Sequence, residues 1–107
     1  MNLIGKRTSE RAELVSVAND IINGQIHLIE GVRKICSLRH TVDDPDNSVF
    51  MPIRAIESET DHFPLGEIRS RCAVEYLERI DAEMKDYLDE AKQDILDACN
   101  EIINTFS

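Results

Sequence analysis

No apolar run in this chain is long enough to cross a bilayer: stretches such as Val49-Phe50-Met51-Pro52-Ile53 fall far short of the roughly 20 residues a spanning helix needs. Cysteine is scarce and unpaired in pattern. Cys36, Cys72 and Cys99 are widely separated, odd in number and without a C-x-x-C pair, which argues against a disulfide framework or a zinc knuckle. Basic charge is in short supply too, with 12 Lys and Arg against 21 Asp and Glu and a net charge of -9. Nucleic acid and anionic lipid both need clustered Lys and Arg, so neither is an expected partner, and a basic protein is. The sequence also lacks a G-x-S-x-G elbow, a phosphate-cradling glycine loop and an H-E-x-x-H helix. It has no internal repeat and no low-complexity tract. The first residues run into the charged Ser9-Glu10-Arg11 rather than an apolar h-region, so no secretory signal is expected and the cytoplasm is the expected location.

What the chain does have is length for one core and a strong helical rhythm. Its 107 residues, 42% hydrophobic, suit one helical domain over 1-107. From Ser9 to Leu38 the apolar residues fall in adjoining seven-residue columns, Leu14, Ile21, Leu28 and Ile35 beside Val15, Ile22, Ile29 and Cys36. That pattern predicts one long helix over 9-39, bent if anywhere at Gly24. The turn formers from Thr41 to Ser48 end it. Two readings remain open for the next stretch: a short helix capped by Asn47 or Ser48, with Pro52 in its first turn and Phe50, Ile53 and Ile56 on one face, or an extended segment over 49-56. After Pro64-Leu65-Gly66 helical character resumes at Glu67. Leu77, Ile80, Met84, Leu88, Ala91 and Ile95 then open a stripe at three- and four-residue spacing that continues to Phe106. The expected fold is therefore all-α, two long antiparallel amphipathic helices with a short helical middle segment packed across them.

Charge is uneven along the chain: residues 1-40 carry +2, 41-73 carry -4 and 74-107 carry -7. The last helix has a carboxylate face, including Asp86, Glu90 and Asp97, which is either a solvated surface or a docking surface for something basic. The linking run Ile56 to Gly66 gathers Glu57, Glu59, Asp61 and His62 beside Phe63. Imidazole and carboxylate together suit several divalent ions, so a metal-dependent hydrolase using Glu59, Asp61 and His62 is one reading. Ser58, Thr60 and Asp61 are also residue types that cap helix ends and close turns through side chain to backbone bonds, and Phe63 and Leu65 can anchor the turn in the core. Glu30, Arg33 and Arg39 of the first helix are candidates for an ion-pair network with Glu59, Asp61 or Arg69 that fastens this turn to it. His27 and Glu30 reverse the order of an E-x-x-H metal pair, and the last helix supplies no matching histidine.

The run Ser58-Glu59-Thr60-Asp61-His62-Phe63-Pro64-Leu65-Gly66 resembles the S-E-T-D-H-x-P-x-G turn of a group of small acidic helical bacterial proteins. The likeness extends through Gly24, Glu30-Gly31, Arg33 and Leu38-Arg39, and on through Asp44-Pro45, Arg69, Asp81, Glu83 and Ala98-Cys99. Where the group often has a tryptophan, this chain has Arg71-Cys72. Proteins of this kind are similar to the immunity proteins of contact-dependent growth inhibition. The resemblance implies a non-catalytic inhibitor, without cofactor, that occludes a cognate toxin domain, expected to be a basic ribonuclease. On that reading the contact surface combines the turn, Glu57 to Phe63, with Tyr76, Asp86, Tyr87, Glu90 and Asp97 of the last helix. Two alternatives stand beside it, the metal-dependent hydrolase and a helical adaptor that dimerises.

Overall fold

The computed structural model describes residues 3-107, with side chains from Ser9 onward. Its helices are α1 (Leu3–Ile22), α2 (Leu28–Leu38), α3 (Met51–Thr60) and α4 (Val74–Phe106), with 3-10 turns at Arg39–Thr41, Ser48–Phe50 and Gly66–Arg71. No strand occurs among the described residues. Each helix packs on the next in chain order, and α1 also packs on α4. Three contacts set the directions. Arg11, in the first half of α1, bonds the carbonyls of Thr105 and Phe106 at the end of α4. The Phe50 ring, just before α3, stacks on Phe106 at 5.4 Å, and Tyr87 bonds Glu59 near the other end of α3. Thus α1 and α3 run antiparallel to α4, and the whole is an up-down-up-down four-helix arrangement. α4, 33 residues long, is about 50 Å at 1.5 Å per residue and spans the 51 Å long axis.

The all-α class and the antiparallel outer helices match the sequence expectation. The single helix over 9-39 does not form, because the chain reverses at Asn23 to His27. Gly24 adopts φ +72, and the amides of Gln25 and Gly24 bond the carbonyls of Asp20 and Ile21. These are the two bonds of a Schellman termination, which needs a left-handed residue that glycine supplies without a Cβ penalty. His27 then restarts the chain as an N-cap, its Nδ1 accepting from the Ile29 amide at 3.1 Å. Close packing of the resulting hairpin depends on Gly31. A Cβ there would fall on the Ile21 side chain.

The middle segment resolves to the helical alternative. Asn47 Oδ1 accepts from the Val49 amide, Pro52 sits in the first turn of α3, and Phe50, Ile53 and Ile56 are buried. A proline is tolerated there because the first helical amides have no intrahelical partner to lose. The main core joins Leu14, Ala18 and Ile21 of α1 to Ile95, Cys99 and Ile102 of α4, with α2 and α3 closing it. A smaller cluster of Ile29, Phe63, Ile80 and Met84 holds the start of α2 against the first half of α4.

Candidate functional site

The turn that ends α3 is locked before it is available for chemistry. Arg33, on α2, donates from one guanidinium nitrogen to the carbonyls of Thr60 at 3.0 Å and Phe63 at 2.9 Å. A cation at the end of a helix satisfies carbonyls that have no intrahelical donor and opposes the helix dipole. The buried Thr60 hydroxyl bonds back to the Ile56 carbonyl at 2.7 Å. Phe63 is 2% exposed and works as an anchor inside the smaller cluster rather than as a surface contact. Arg69 completes the fastening: it donates to the Pro64 carbonyl and makes a two-nitrogen pair with Asp81 at 2.9 and 2.6 Å. That pairing holds the Asp81 carboxyl below its ordinary range. Of the arginines named from the sequence, Arg33 fastens the turn to α2, through carbonyls instead of carboxylates, whereas Arg39 bonds the Pro45 carbonyl and pairs with Asp46 in the preceding loop.

The acidic side chains of the turn diverge. His62 Nε2 lies 3.2 Å from Glu83 of α4, Glu59 accepts from the Tyr87 hydroxyl at 2.7 Å, and Glu57 lies beside Cys36 in a recess with Arg39, His40 and Arg54. Among the described residues no group of three His, Cys, Asp or Glu side chains is placed to hold a metal ion. The geometry that the hydrolase reading requires of Glu59, Asp61 and His62 is therefore not assembled. Tyr76, half-buried, packs against the smaller cluster and lies under the Arg79 guanidinium, 5.8 Å from its ring centre. Asp61 and Asp86 are exposed.

Four of the sequence-selected residues, Glu59, Tyr87, Glu90 and Asp97, do converge, in an open groove of about 970 Å³ between α3 and α4. Its floor is apolar and mostly small: Val49 from the 3-10 turn before α3, Pro52, Ala55 and Ile56 from α3, Ala91 and Ala98 from α4. Its acidic edge is a row on α4, Glu90, Asp94, Asp97 and Glu101, with Glu59 across from it. Residues spaced four, three and four apart lie along one helical edge. No Lys or Arg lines the groove. Tyr87 closes one end: its ring sits 6.3 Å from that of Phe63, and burial, reinforced by the bond to Glu59, pushes its hydroxyl pKa upward, so it stays a neutral donor. Asp97 accepts from Gln93 on its own helix, and no cation in the described residues pairs with the other three carboxylates of the row.

Sequence reasoning passed over Asp94 and the small-residue floor. The spacing of Glu90, Asp94, Asp97 and Glu101 was there to be read, but the floor becomes visible only once α3 is placed beside α4. Of the cysteines, Cys36 and Cys99 are buried and Cys72 is half-buried. Burial, with Glu57 nearby, pushes the Cys36 thiol up to about 12, and burial alone pushes Cys99 up to about 11. Neither suits a nucleophile, since reactivity belongs to the thiolate.

Comparison of the chain with protein-family models, with curated proteins and with solved structures finds no match. The functional reading therefore rests on the groove and its charge.

Proposed function

We propose that this chain is a non-catalytic immunity protein that binds a basic toxin domain, a ribonuclease, in the cytoplasm of the cell it protects. The observation that carries this reading is the α3–α4 groove, apolar along its floor, edged by five carboxylates and lined by no cation. A nuclease binds phosphates with clustered Lys and Arg. A row of carboxylates on a rigid helix offers those cations a competing set of oxygen acceptors, and seating them there excludes the nucleic acid. The net charge of -9 accelerates encounter with a positive surface and disfavours wrong partners, while the apolar floor and Tyr87 supply affinity. A groove of this sign repels nucleic acid and anionic lipid, and no helix of the described residues is long and apolar enough to cross a membrane.

The direct test is co-expression with the product of the adjacent reading frame as the candidate toxin domain, scored by cell survival and by recovery of a complex. The reading requires survival with the intact chain and death when Glu90, Asp94, Asp97 and Glu101 are reversed to Lys. Survival with both, or with neither, contradicts it.

A further inference from the structure

We propose that the segment received by the α3–α4 groove is a basic amphipathic α-helix of about four turns, with Lys or Arg recurring at three- and four-residue spacing along the edge that faces α4. This deepens the preceding reading and rests on the same groove.

Three features select a helix. First, the groove follows α4 from Tyr87 to Glu101, about 21 Å at 1.5 Å per residue, and it is open along that length. At about 970 Å³ it reaches the top of the roughly 300–1,000 Å³ range of small-molecule pockets without enclosing anything, which suits a length of chain. Second, the row Glu90, Asp94, Asp97 and Glu101 advances by about 6, 4.5 and 6 Å. A neighbouring helix repeats the same advance on its own edge, so every cation meets a carboxylate. An extended chain presents same-face side chains every 6.6 Å or so and falls out of step within two intervals. Third, the floor is low where a helix has to approach: Ala55 and Pro52 on one side, Ala91 and Ala98 on the other. Helices pack with axes about 8–10 Å apart, closest where the contact residues are small.

The walls are fixed beforehand. Asn47 caps the start of the α3 region, Arg33 clamps its end, and Tyr87 ties α3 to α4 through Glu59. A pre-formed receptor lowers the ordering cost of binding. Burying apolar residues of the incoming helix on this floor while its cations lie along the α4 edge is the helix-in-groove mode of recognition.

The test uses a synthetic peptide of about 15 residues with Leu and Ala on one face and Lys at the matching spacing, beside an isomer of the same composition whose Lys residues alternate so that they align only in an extended chain. Binding to the full chain is read by fluorescence anisotropy, and its location by amide shifts in NMR. The helical peptide should bind at least tenfold more tightly, with shifts concentrated at Ala55, Ala91 and Ala98. Filling the floor with Ala55→Leu and Ala91→Leu should weaken it at least tenfold while the melting temperature stays unchanged. Equal binding of the two peptides, shifts centred elsewhere, or indifference to the filled floor would overturn the helix. The two proposals separate cleanly. Protection from the toxin that survives the filled floor removes the helix and leaves neutralisation standing, whereas peptide binding without protection removes neutralisation and leaves the helix site.

Discussion

Where α4 packs on α1, Ile95, Cys99 and Ile102 are fully buried in one cluster with Leu14, Ala18 and Ile21. Where it borders α3, the same helix presents Ala91 and Ala98, with a carboxylate at each turn of the adjoining edge, and the space above them stays open. One seam is filled with branched side chains and excludes water; the other is floored with small ones and rimmed with charge. The difference shows that the open seam is not a general failure of α4 to pack, because the same helix packs densely a quarter-turn away. On the proposed function, stability belongs to the first seam and recognition to the second.

Ile102→Ala strikes the filled seam and should cost about 2–5 kcal/mol, the range for a large-to-small change in a close-packed core, measured by urea unfolding. A cost below about 1 kcal/mol would show that the two seams are not different in kind. By contrast, Ala55→Leu should change stability by about 0.5 kcal/mol or less.

The hairpin that fills the first seam offers the next test. Gly31→Ala should cost about 1–3 kcal/mol by overpacking against Ile21. Combining it with Ile21→Ala, which removes both clashing carbons, should give a loss smaller than the sum of the two single changes. Strict additivity would mean that the close approach at Gly31 is not what holds α1 against α2.

Arg33→Met tests how the wall of the open seam is held, since it removes the side-chain donor of the Phe63 carbonyl and leaves the Thr60 carbonyl with the Phe63 amide alone. A loss of about 1.5–3 kcal/mol is expected, the range for hydrogen bonds to a charged group, together with faster amide exchange at the end of α3. Stability loss without change at α3 would locate the effect elsewhere.

The smallest effect concerns the thiols. With Cys36 pushed up to about 12 and Cys99 up to about 11 by burial, both stay protonated at about pH 8. Alkylation of the folded protein should therefore modify Cys72 first and alone. For the two raised groups the protonated form is the one stabilised by folding, so their contribution is present at neutral pH and is lost only as pH rises through those values. Rapid labelling of all three thiols in the native state would show that the filled seam opens.

Much of this fold was legible because local pattern and tertiary placement agree in it. The stripe from Leu77 to Phe106 is α4, and Asn47, Pro52 and the Phe50, Ile53, Ile56 face mark α3 and its entry. The miss at Gly24 has a physical cause. Ile21 and Leu28 are seven residues apart, two helical turns' worth, so the apolar columns keep their phase while the backbone between them reverses. Periodicity measures spacing and is blind to a change of direction; the Asn23-Gly24 pair, a turn-forming dipeptide, was the better signal. The site was half legible. Glu90 and Asp97 stand out on the helix edge, and Tyr87 can be placed beside them. Phe63 reads from sequence both as a core anchor of the turn and as a surface contact, and only the packing of Ile29, Ile80 and Met84 around it decides for the core. An empty space floored by alanines leaves no mark on a sequence at all.

The claim that the open seam recognises a basic partner through local contacts, beyond attraction to a net charge, is tested most directly by two variants of equal charge. Reversing Glu90, Asp94, Asp97 and Glu101 to Lys changes the net charge from -9 to about -1 at the groove. Reversing the exposed Glu13, Glu67, Glu75 and Glu78 makes the same change outside it; long-range attraction follows summed charge, screened beyond about 8 Å at physiological ionic strength. The measurement is the dissociation constant of each for the basic toxin domain proposed as the partner, at matched salt. The account predicts that the groove variant binds at least a hundredfold more weakly than the parent and the outer variant no more than about tenfold. Equal losses in the two variants would contradict it.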